Sequence, residues 1–452
     1  MSKYYLTNIF ALIPRVLLPQ NRRSPKFRLF LLALIFQVIG LSARQPNVIV
    51  ILTDDQGAVD MNIYGAKDLV TPHMDALARS GVRFSQFYAA SAVCSPSRVG
   101  LLTGRTPQHG GLHGNVGPHA VGMPSEQVTI AEEFNKAGYT TAHIGKWHLG
   151  HHPQTMPNGQ GFNHSFGHMV GCIDNYSHFF YWSGPNKHDL WRNGEEVFYG
   201  GQFFPDLMVQ EATEFIEANK ENPFFIYFAM NTPHYPYQGS PKWLEYYQNL
   251  DYPRNLYAAF VSTMDESIGQ LIQNVEQAGL IEDTIIIFQS DHGASQEERA
   301  HHGGGSSGQY RGGKFNLYEG GIRVPAIISW PGVIPQNQLR TQMATACDWY
   351  PTLLDLCNLP PADHIVDGKS LVEMIHTADA ASVHHSFNWK LGKSWAIREG
   401  KWKLIVTGQK VELYDVPSDF GESKNLANEF PEVVTNLMES SRKYWSTIPD
   451  EG

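Results

Sequence analysis

Residues 47–57 read NVIVILTDDQG, an unbroken apolar run that ends on Thr53, Asp54, Asp55, Gln56 and Gly57. A short run rich in Val and Ile, closed by turn-forming residues, reads as a β-strand. It lacks polar alternation, so both faces are buried, as in a sheet covered by helices above and below. The same texture returns in TTAHIG (140–145), PFFIYFAM (223–230) and TIIIFQS (284–290). Helical patterns alternate with these runs. TPHMDALARSG (71–81) offers Thr71 as N-cap, Pro72 at the first helical position and Gly81 as stop. TIAEEFNKAGY (129–139) carries a capping-box pattern at Thr129 and Glu132 and ends at Gly138. PDLMVQEATEFIEAN (205–219) and YAAFVSTMDESIGQLIQNVEQAG (257–279) are longer helices. Alternating strands and helices predict an α/β fold with helices on both faces of a central sheet.

After about Pro360 the pattern changes. SWAIREGKWKLIV (394–406), VELYDV (411–416) and EFPEVVTNLMESSRKYW (429–445) predict a small antiparallel sheet plus one helix. The expected division is a signal-peptide region over 1–44, a catalytic α/β domain over 45–365 and a C-terminal subdomain over 366–452. At the start, NRRSPKFR supplies positive charge and LFLLALIFQVIGL, from Leu29, an apolar run ending in a small-x-small pattern at Gly40 and Ser42. That layout predicts a secretory leader, with an uncleaved anchor as the alternative, and an exported mature protein, periplasmic or secreted. No other segment is apolar enough to span a bilayer, so no stable membrane span is expected after cleavage. The net charge of −10 excludes a generally basic, nucleic-acid-coating surface. The four cysteines, Cys94, Cys172, Cys347 and Cys357, make no disulfide framework and no CxxC zinc ribbon. Ten residues of helix would hold Cys347 and Cys357 about 15 Å apart, too far to pair.

Ligands of open α/β sheets bind beyond the carboxyl ends of the strands. Four runs deliver polar groups there: Asp54 and Asp55; Lys146, Trp147 and His148; Asn231, Thr232, Pro233 and His234; Asp291 and His292. Three converging carboxylates repel one another unless a cation lies between them, and an oxygen-rich set suits calcium or magnesium. His292 is a less usual ligand for such an ion. Arg98, Lys146 and Lys314 are candidate cations of an anion pocket, with His148 and His234 as proton carriers. Cys94, in AASAVCSPSRVGLLTGR (89–105), stands at a helix start where Ser95 can cap and Pro96 can open the first turn, with Gly104 as the stop. Free N–H groups there favour negative charge. The residues alone thus point to metal-assisted transfer or hydrolysis of an anionic group at an unusual cysteine.

CSPSRVGLLTGR (94–105) resembles the C-x-P-S-R signature of the type I sulfatases, with its following T-G-R element. GKWHLG, TPHYPY, SDHG, RGGKFNLYEGGIRVP and AIREGKWKLI with ELYDV resemble further blocks of that family in the same order, from about Asn47 to the end of the chain. The resemblance implies an alkaline-phosphatase-like fold, a central mixed sheet flanked by helices. It implies that a formylglycine-generating or anaerobic maturation enzyme oxidises Cys94 to Cα-formylglycine (3-oxoalanine), whose hydrated diol is the nucleophile. Asp54, Asp55, Asp291 and His292 would hold one calcium ion together with that residue, although the family often has asparagine at the last position. Arg98 would stabilise the diol, Lys146 and His148 would contact it or the sulfate, His234 would protonate the leaving oxygen, and Lys314 would bind the sulfate and the bridging oxygen. One hydroxyl of the diol attacks sulfur, and deprotonation of the other then expels sulfate.

The implied activity is hydrolysis of a sulfuric ester on a sulfated carbohydrate, an algal polysaccharide such as ulvan or carrageenan or a glycosaminoglycan oligosaccharide. The alternatives are a phosphate or phosphonate monoester hydrolase of the same superfamily and a non-catalytic binder of sulfated glycans. Aromatic and histidine-rich loops at 115–124, 150–162 and 175–191 could stack sugar rings on Trp182 or Trp191.

Overall fold

The computed structural model describes residues 44–118, 120–181 and 185–448; the expected leader, up to residue 43, and Trp182 lie outside them. The central sheet has ten strands: β1 (Asn47–Thr53), β2 (Val82–Phe84), β3 (Thr140–Lys146), β4 (His164–His168), β5 (Trp191–Arg192), β6 (Glu195–Glu196), β7 (Phe224–Ala229), β8 (Thr284–Ser290), β9 (Ala326–Ser329) and β10 (Gln338–Arg340). Their spatial order is β10-β2-β9-β8-β1-β7-β3-β4-β5-β6. The middle five, β8-β1-β7-β3-β4, run parallel; β9 and β5 flank them antiparallel, β2 and β6 pair antiparallel with those in turn, and β10 pairs parallel with β2. The sheet is therefore mixed, and β1 lies at its centre.

The absence of alternation in NVIVIL has the expected cause. Val48, Val50 and Leu52 enter one apolar core, while Ile49 and Ile51 enter another on the opposite face. Helices cover both. α1 (Pro72–Arg79), α4 (Phe204–Asn219) and α5 (Arg254–Gln277) contribute to the Ile49 side. α2 (Cys94–Thr103), α3 (Ile130–Lys136) and α6 (Trp349–Leu356) contribute to the Val48 side. Among the described residues no helix is long and apolar enough to cross a membrane.

The capping box of α3 is present, with Thr129 N–H donating to Glu132 Oε2 and Glu132 N–H to Thr129 Oγ1. At α1 the expected cap is replaced. Thr71 precedes the helix, but its hydroxyl is taken by Asn62, and the free N–H groups of His73 and Met74 donate to Asp265 on α5. A carboxylate distant in sequence thus does the work of the local hydroxyl. Gly81 does not end α1 either, since Ser80 is its C-cap. Gly81 instead lets β2 approach β9, where a Cβ would lie 2.0 Å from the carbonyl of Ile328.

The chain after β10 builds a four-stranded antiparallel sheet, β11 (Ser386–Leu391), β12 (Ser394–Glu399), β13 (Trp402–Thr407) and β14 (Lys410–Asp415), with α7 (Pro431–Trp445). Leu404, Leu413 and Ile397 pack with Leu437 of α7. Trp389, Ala396 and Ile405 point the other way and join the Val48 core. All four cysteines are free and buried.

Candidate active site

Because β1, β3, β7 and β8 are parallel and in register, their last residues stand side by side at one edge of the sheet. Asp54–Asp55, Lys146–His148, Asn231–His234 and Asp291–His292 follow those ends directly, so the residues read from the strand ends converge as the topology requires. α2 enters from the side. All of its residues are buried, and Cys94 opens its first turn. Ser95 is not the cap. Val93 holds that position, while Ser95 Oγ donates to the carbonyl of His148 and accepts from Val116 N–H. Asn115 Oδ1 accepts the N–H of Ser95, a contact the sequence pattern did not reveal. Gly104 ends the helix at φ 65°, as a left-handed C-cap.

Donor atoms of Asp54, Asp55, Cys94 and His292 all lie within 4.8 Å of one another, and all four residues are buried. Asp291 stands beside this set rather than in it. Its Oδ1 accepts the N–H of Asp55 and its Oδ2 the guanidinium of Arg98, at 3.1 and 3.2 Å. His292 Nδ1 faces the carbonyl of Gly293 at 3.0 Å, which can only accept, so Nδ1 carries a proton. Its Nε2 then looks at three anionic neighbours, Cys94 Sγ at 3.3 Å, Asp55 Oδ1 at 3.4 Å and Asp291 Oδ1 at 3.5 Å. A lone pair aimed at anions needs a proton or a metal ion between them. Without a metal the proton is favoured: burial opposes it, but Asp291 and Cys94 outweigh burial and raise His292 to about 9. Asp55 Oδ1 is buried without an aligned hydrogen bond, although the ammonium of Lys314 is 2.9 Å away. Burial raises Asp55 to about 7 and Asp291 to about 6. Carboxylates made reluctant to ionise by crowding are those a divalent cation would relieve, and the donor set fits a hard ion.

Cations surround the cluster. Lys146 Nζ is 2.6 Å from Asp54 Oδ2, and Arg98 donates to the carbonyl of Lys146 as well as to Asp291. Both are fully buried beneath Cys94. Burial resists ionisation of Asp54, yet Lys146, His234 and Arg98 hold it well below the usual carboxylate range. Burial likewise raises the Cys94 thiol, and the fields of Lys146 and Lys314 overcome that and bring it down to about 6.

Above the cluster lies a cavity of about 380 Å³, with Cys94, His148, His234 and Lys314 on its wall. His234 Nδ1 donates to the carbonyl of Tyr235, leaving Nε2 toward Lys314 Nζ at 3.3 Å. Burial first, and then Lys314, hold His234 well below its ordinary value; burial and Lys146 do the same to His148. The outer wall includes Phe180, Tyr235 and Phe315 with the Glu297–Arg299 ion pair. Tyr235 and Phe315 lie within the TPHYPY and RGGKFNLYEGGIRVP blocks and Phe180 within the aromatic-rich stretch, whereas no motif marks Glu297 or Arg299. Trp191 does not line this cavity. It sits on β5, the strand next to the outermost β6, where its indole N–H donates to Asp189 and its ring packs against the core.

Residues 46–359 match the Sulfatase family model, and residues 309–444 match the model described as N-sulphoglucosamine sulphohydrolase, C-terminal. The N-acetylgalactosamine-6-sulfatase of Rattus norvegicus is 34% identical over 375 residues, covering 76% of this chain and 68% of the relative. The N-acetylgalactosamine-6-O-sulfatase of Bacteroides thetaiotaomicron is 29% identical over 496 residues, covering 88% and 93%. Among solved structures, Ps i-CgsB in complex with k-i-k-neocarrahexaose superposes with a TM-score of 0.82 at 29% identity, covering 89% of this chain and 93% of that one. The mixed sheet with helices on both faces and a small C-terminal antiparallel sheet is the alkaline-phosphatase-like fold of such enzymes. The chain belongs to the sulfatase family and is a sulfuric ester hydrolase.

Proposed function

We propose that this enzyme removes sulfate from a sulfated carbohydrate of the galactan or glycosaminoglycan type, with Cys94, matured to formylglycine, as the attacking residue. The observation that carries the reading is the shared cavity. Cys94, His148, His234 and Lys314 come from four separate segments and open into one space large enough for a sulfated sugar ring. Hydrolysis places negative charge on the sulfuryl oxygens and on the departing alcohol. Lys314 is poised for the first, since its ammonium already spans Asp55 and His234. His234 serves the second: an anionic ester beside its Nε2 raises its affinity for a proton, which it then gives to the leaving oxygen. His148 presents its free Nδ1 near Cys94, while Arg98 and Lys146 lie below and fix Asp54 and Asp291.

Asp54, Asp55, Asp291 and His292, together with the matured residue 94, would hold calcium. When bound, the ion supplies fixed positive charge beside the nucleophile, and formylglycine supplies a hydrated carbonyl in place of the thiol. The carbohydrate assignment draws on the two N-acetylgalactosamine sulfatases and on the oligosaccharide complex above, with the aromatic wall of Phe180, Tyr235 and Phe315 as the surface for a ring. The leader places the mature chain outside the cytoplasm. Residues 45–365 form the catalytic part and 366–452 the C-terminal subdomain.

The matured, calcium-loaded protein is tested against defined sulfated oligosaccharides, reading which position loses sulfate. Sulfate and phosphate esters of one aryl alcohol are compared in parallel. Release of sulfate from at least one sugar, with the aryl sulfate cleaved faster than the phosphate, is the expected result. Preference for the phosphate ester, or turnover of aryl sulfate with no sugar accepted, would overturn the assignment.

A further inference from the structure

Lys403, on β13 of the C-terminal sheet, is fully buried, with its ammonium 2.9 Å from Glu319 Oε1 and 2.8 Å from Glu422 Oε1. Glu319 belongs to the glycine-rich loop that carries Lys314. Its other oxygen accepts from the Tyr88 hydroxyl at 2.8 Å and from Arg323 at 3.0 Å, and its own N–H donates to Glu422 Oε2 at 2.7 Å. The start of the loop is tied to the same sheet. Arg311 donates to the Tyr414 hydroxyl and to the carbonyl of Glu422, and the Tyr318 hydroxyl donates to Glu412 Oε2.

The opposite side of the loop meets the reacting groups. Lys314 N–H donates to the carbonyl of Ala294, and Phe315 N–H to that of Ala92, two residues before Cys94. Gly293, next to His292, donates to the carbonyl of Gly321, and a Cβ on Gly293 would lie 1.8 Å from the carbonyl oxygen of Gly320. The loop therefore has no slack. Gly320 and Gly321 already abut Gly293, which leaves no room there to take up a displacement of Glu319 without moving the segment that carries Lys314. Apolar residues would serve folding at least as well as a buried ionic triad, which gains little net stability. What the triad supplies in their place is direction, a set of charge-assisted bonds that fixes one backbone position.

We propose that the C-terminal sheet acts in the reaction through this loop, with Lys403 as a positioning residue that clamps Glu319 and thereby sets Lys314 over Asp55. The inference rests on the reading of Lys314 as a sulfate-binding cation. Lys403→Met removes the charge at nearly constant length. In the full chain, hydrogen exchange at the amides of Lys314, Phe315, Gly320 and Gly321 is expected to quicken by about tenfold or more, with β1 and β8 unchanged. Affinity for inorganic sulfate is expected to fall about tenfold, and the same substitution in a Lys314→Ala background to cause no further loss. If Lys403→Met does not fold, Glu319→Gln, which keeps shape and removes one charge of the triad, is measured in its place. Unchanged loop exchange in the folded variant, or an equal loss of sulfate affinity in both backgrounds, would overturn the clamp. The exchange measurement needs neither sulfate nor turnover. A native chain that releases no sulfate from any ester would therefore sink the sulfatase reading, while the clamp is still judged on exchange.

Discussion

The ammonium of Lys314 lies 2.9 Å from Oδ1 of Asp55, so one side chain joins the carboxylate cluster to the cavity above it. Lys314→Ala removes a preorganised cation from the sulfate position but leaves all the metal-directed donors in place. Such losses reduce kcat by about 10²–10³-fold, and kcat/KM for an aryl sulfate is expected to fall within that range. Stabilisation of the protein by calcium is expected to persist. Loss of both together would show that the lysine supports the cluster rather than the substrate.

Cys94→Ser keeps the size and the buried setting of the side chain at the start of α2. A serine left as the alcohol could attack sulfur but has no second hydroxyl with which to expel sulfate. A variant whose residue 94 is shown by mass to remain serine is therefore expected to lose turnover, while the circular dichroism spectrum and melting midpoint stay close to native. Mass analysis of the native peptide carrying residue 94 is expected to find aldehyde in place of thiol. Full activity of a serine variant whose residue 94 is still the alcohol would refute the formylglycine route.

Asp54, Asp55 and Asp291 are crowded with Cys94 and His292 in a buried space. A bound divalent cation relieves that crowding, and calcium at a hundred times its dissociation constant should add about 2.7 kcal/mol to the unfolding free energy. Chelation is expected to lower the melting midpoint and abolish turnover, and added calcium to restore both. Asp55→Asn should remove the calcium response. A midpoint indifferent to chelator and calcium would count against a metal at this cluster.

The strand-end rule made the convergence of Asp54, Lys146, His234 and Asp291 legible, because apolar runs buried on both faces imply a parallel sheet and a parallel sheet aligns its carboxyl ends. What stayed hidden had no local signature. Asp265 caps α1 from a helix almost two hundred positions away, so the pattern around Thr71 named the cap position but not the group that fills it. Asn115, Glu297 and Arg299 reach the cavity from loops whose paths depend on tertiary packing. Trp191 and Phe180 lie in the same aromatic-rich stretch, yet strand pairing draws the first into the central sheet and leaves the second at the cavity. Lys403 reads as a polar position on a short strand, and only its burial between Glu319 and Glu422 makes it an interior ion.

That triad also gives stability a pH dependence of calculable sign. Burial, reinforced by the neighbouring Glu319, raises Glu422 to about 7 despite the pull of Lys403. Burial opposes ionisation of Glu319 too, but Lys403, Arg323 and Arg398 prevail and bring it down to about 2. Between pH 4.5, the ordinary glutamate value, and about 7 the folded chain holds a proton at Glu422 that the unfolded chain has released. Stability is thus lost as pH rises through that window, by up to about 3 kcal/mol from this group. Glu319 acts in the opposite sense, contributing stability above its unfolded value that disappears as pH falls toward 2. Glu422→Gln imitates the protonated side chain. Denaturant unfolding is expected to find the variant and the native chain alike at pH 5, and the variant more stable at pH 8. A variant less stable than the native chain at pH 8 would show instead that Lys403 keeps Glu422 ionised, and that both of its carboxylate partners hold the loop by charge.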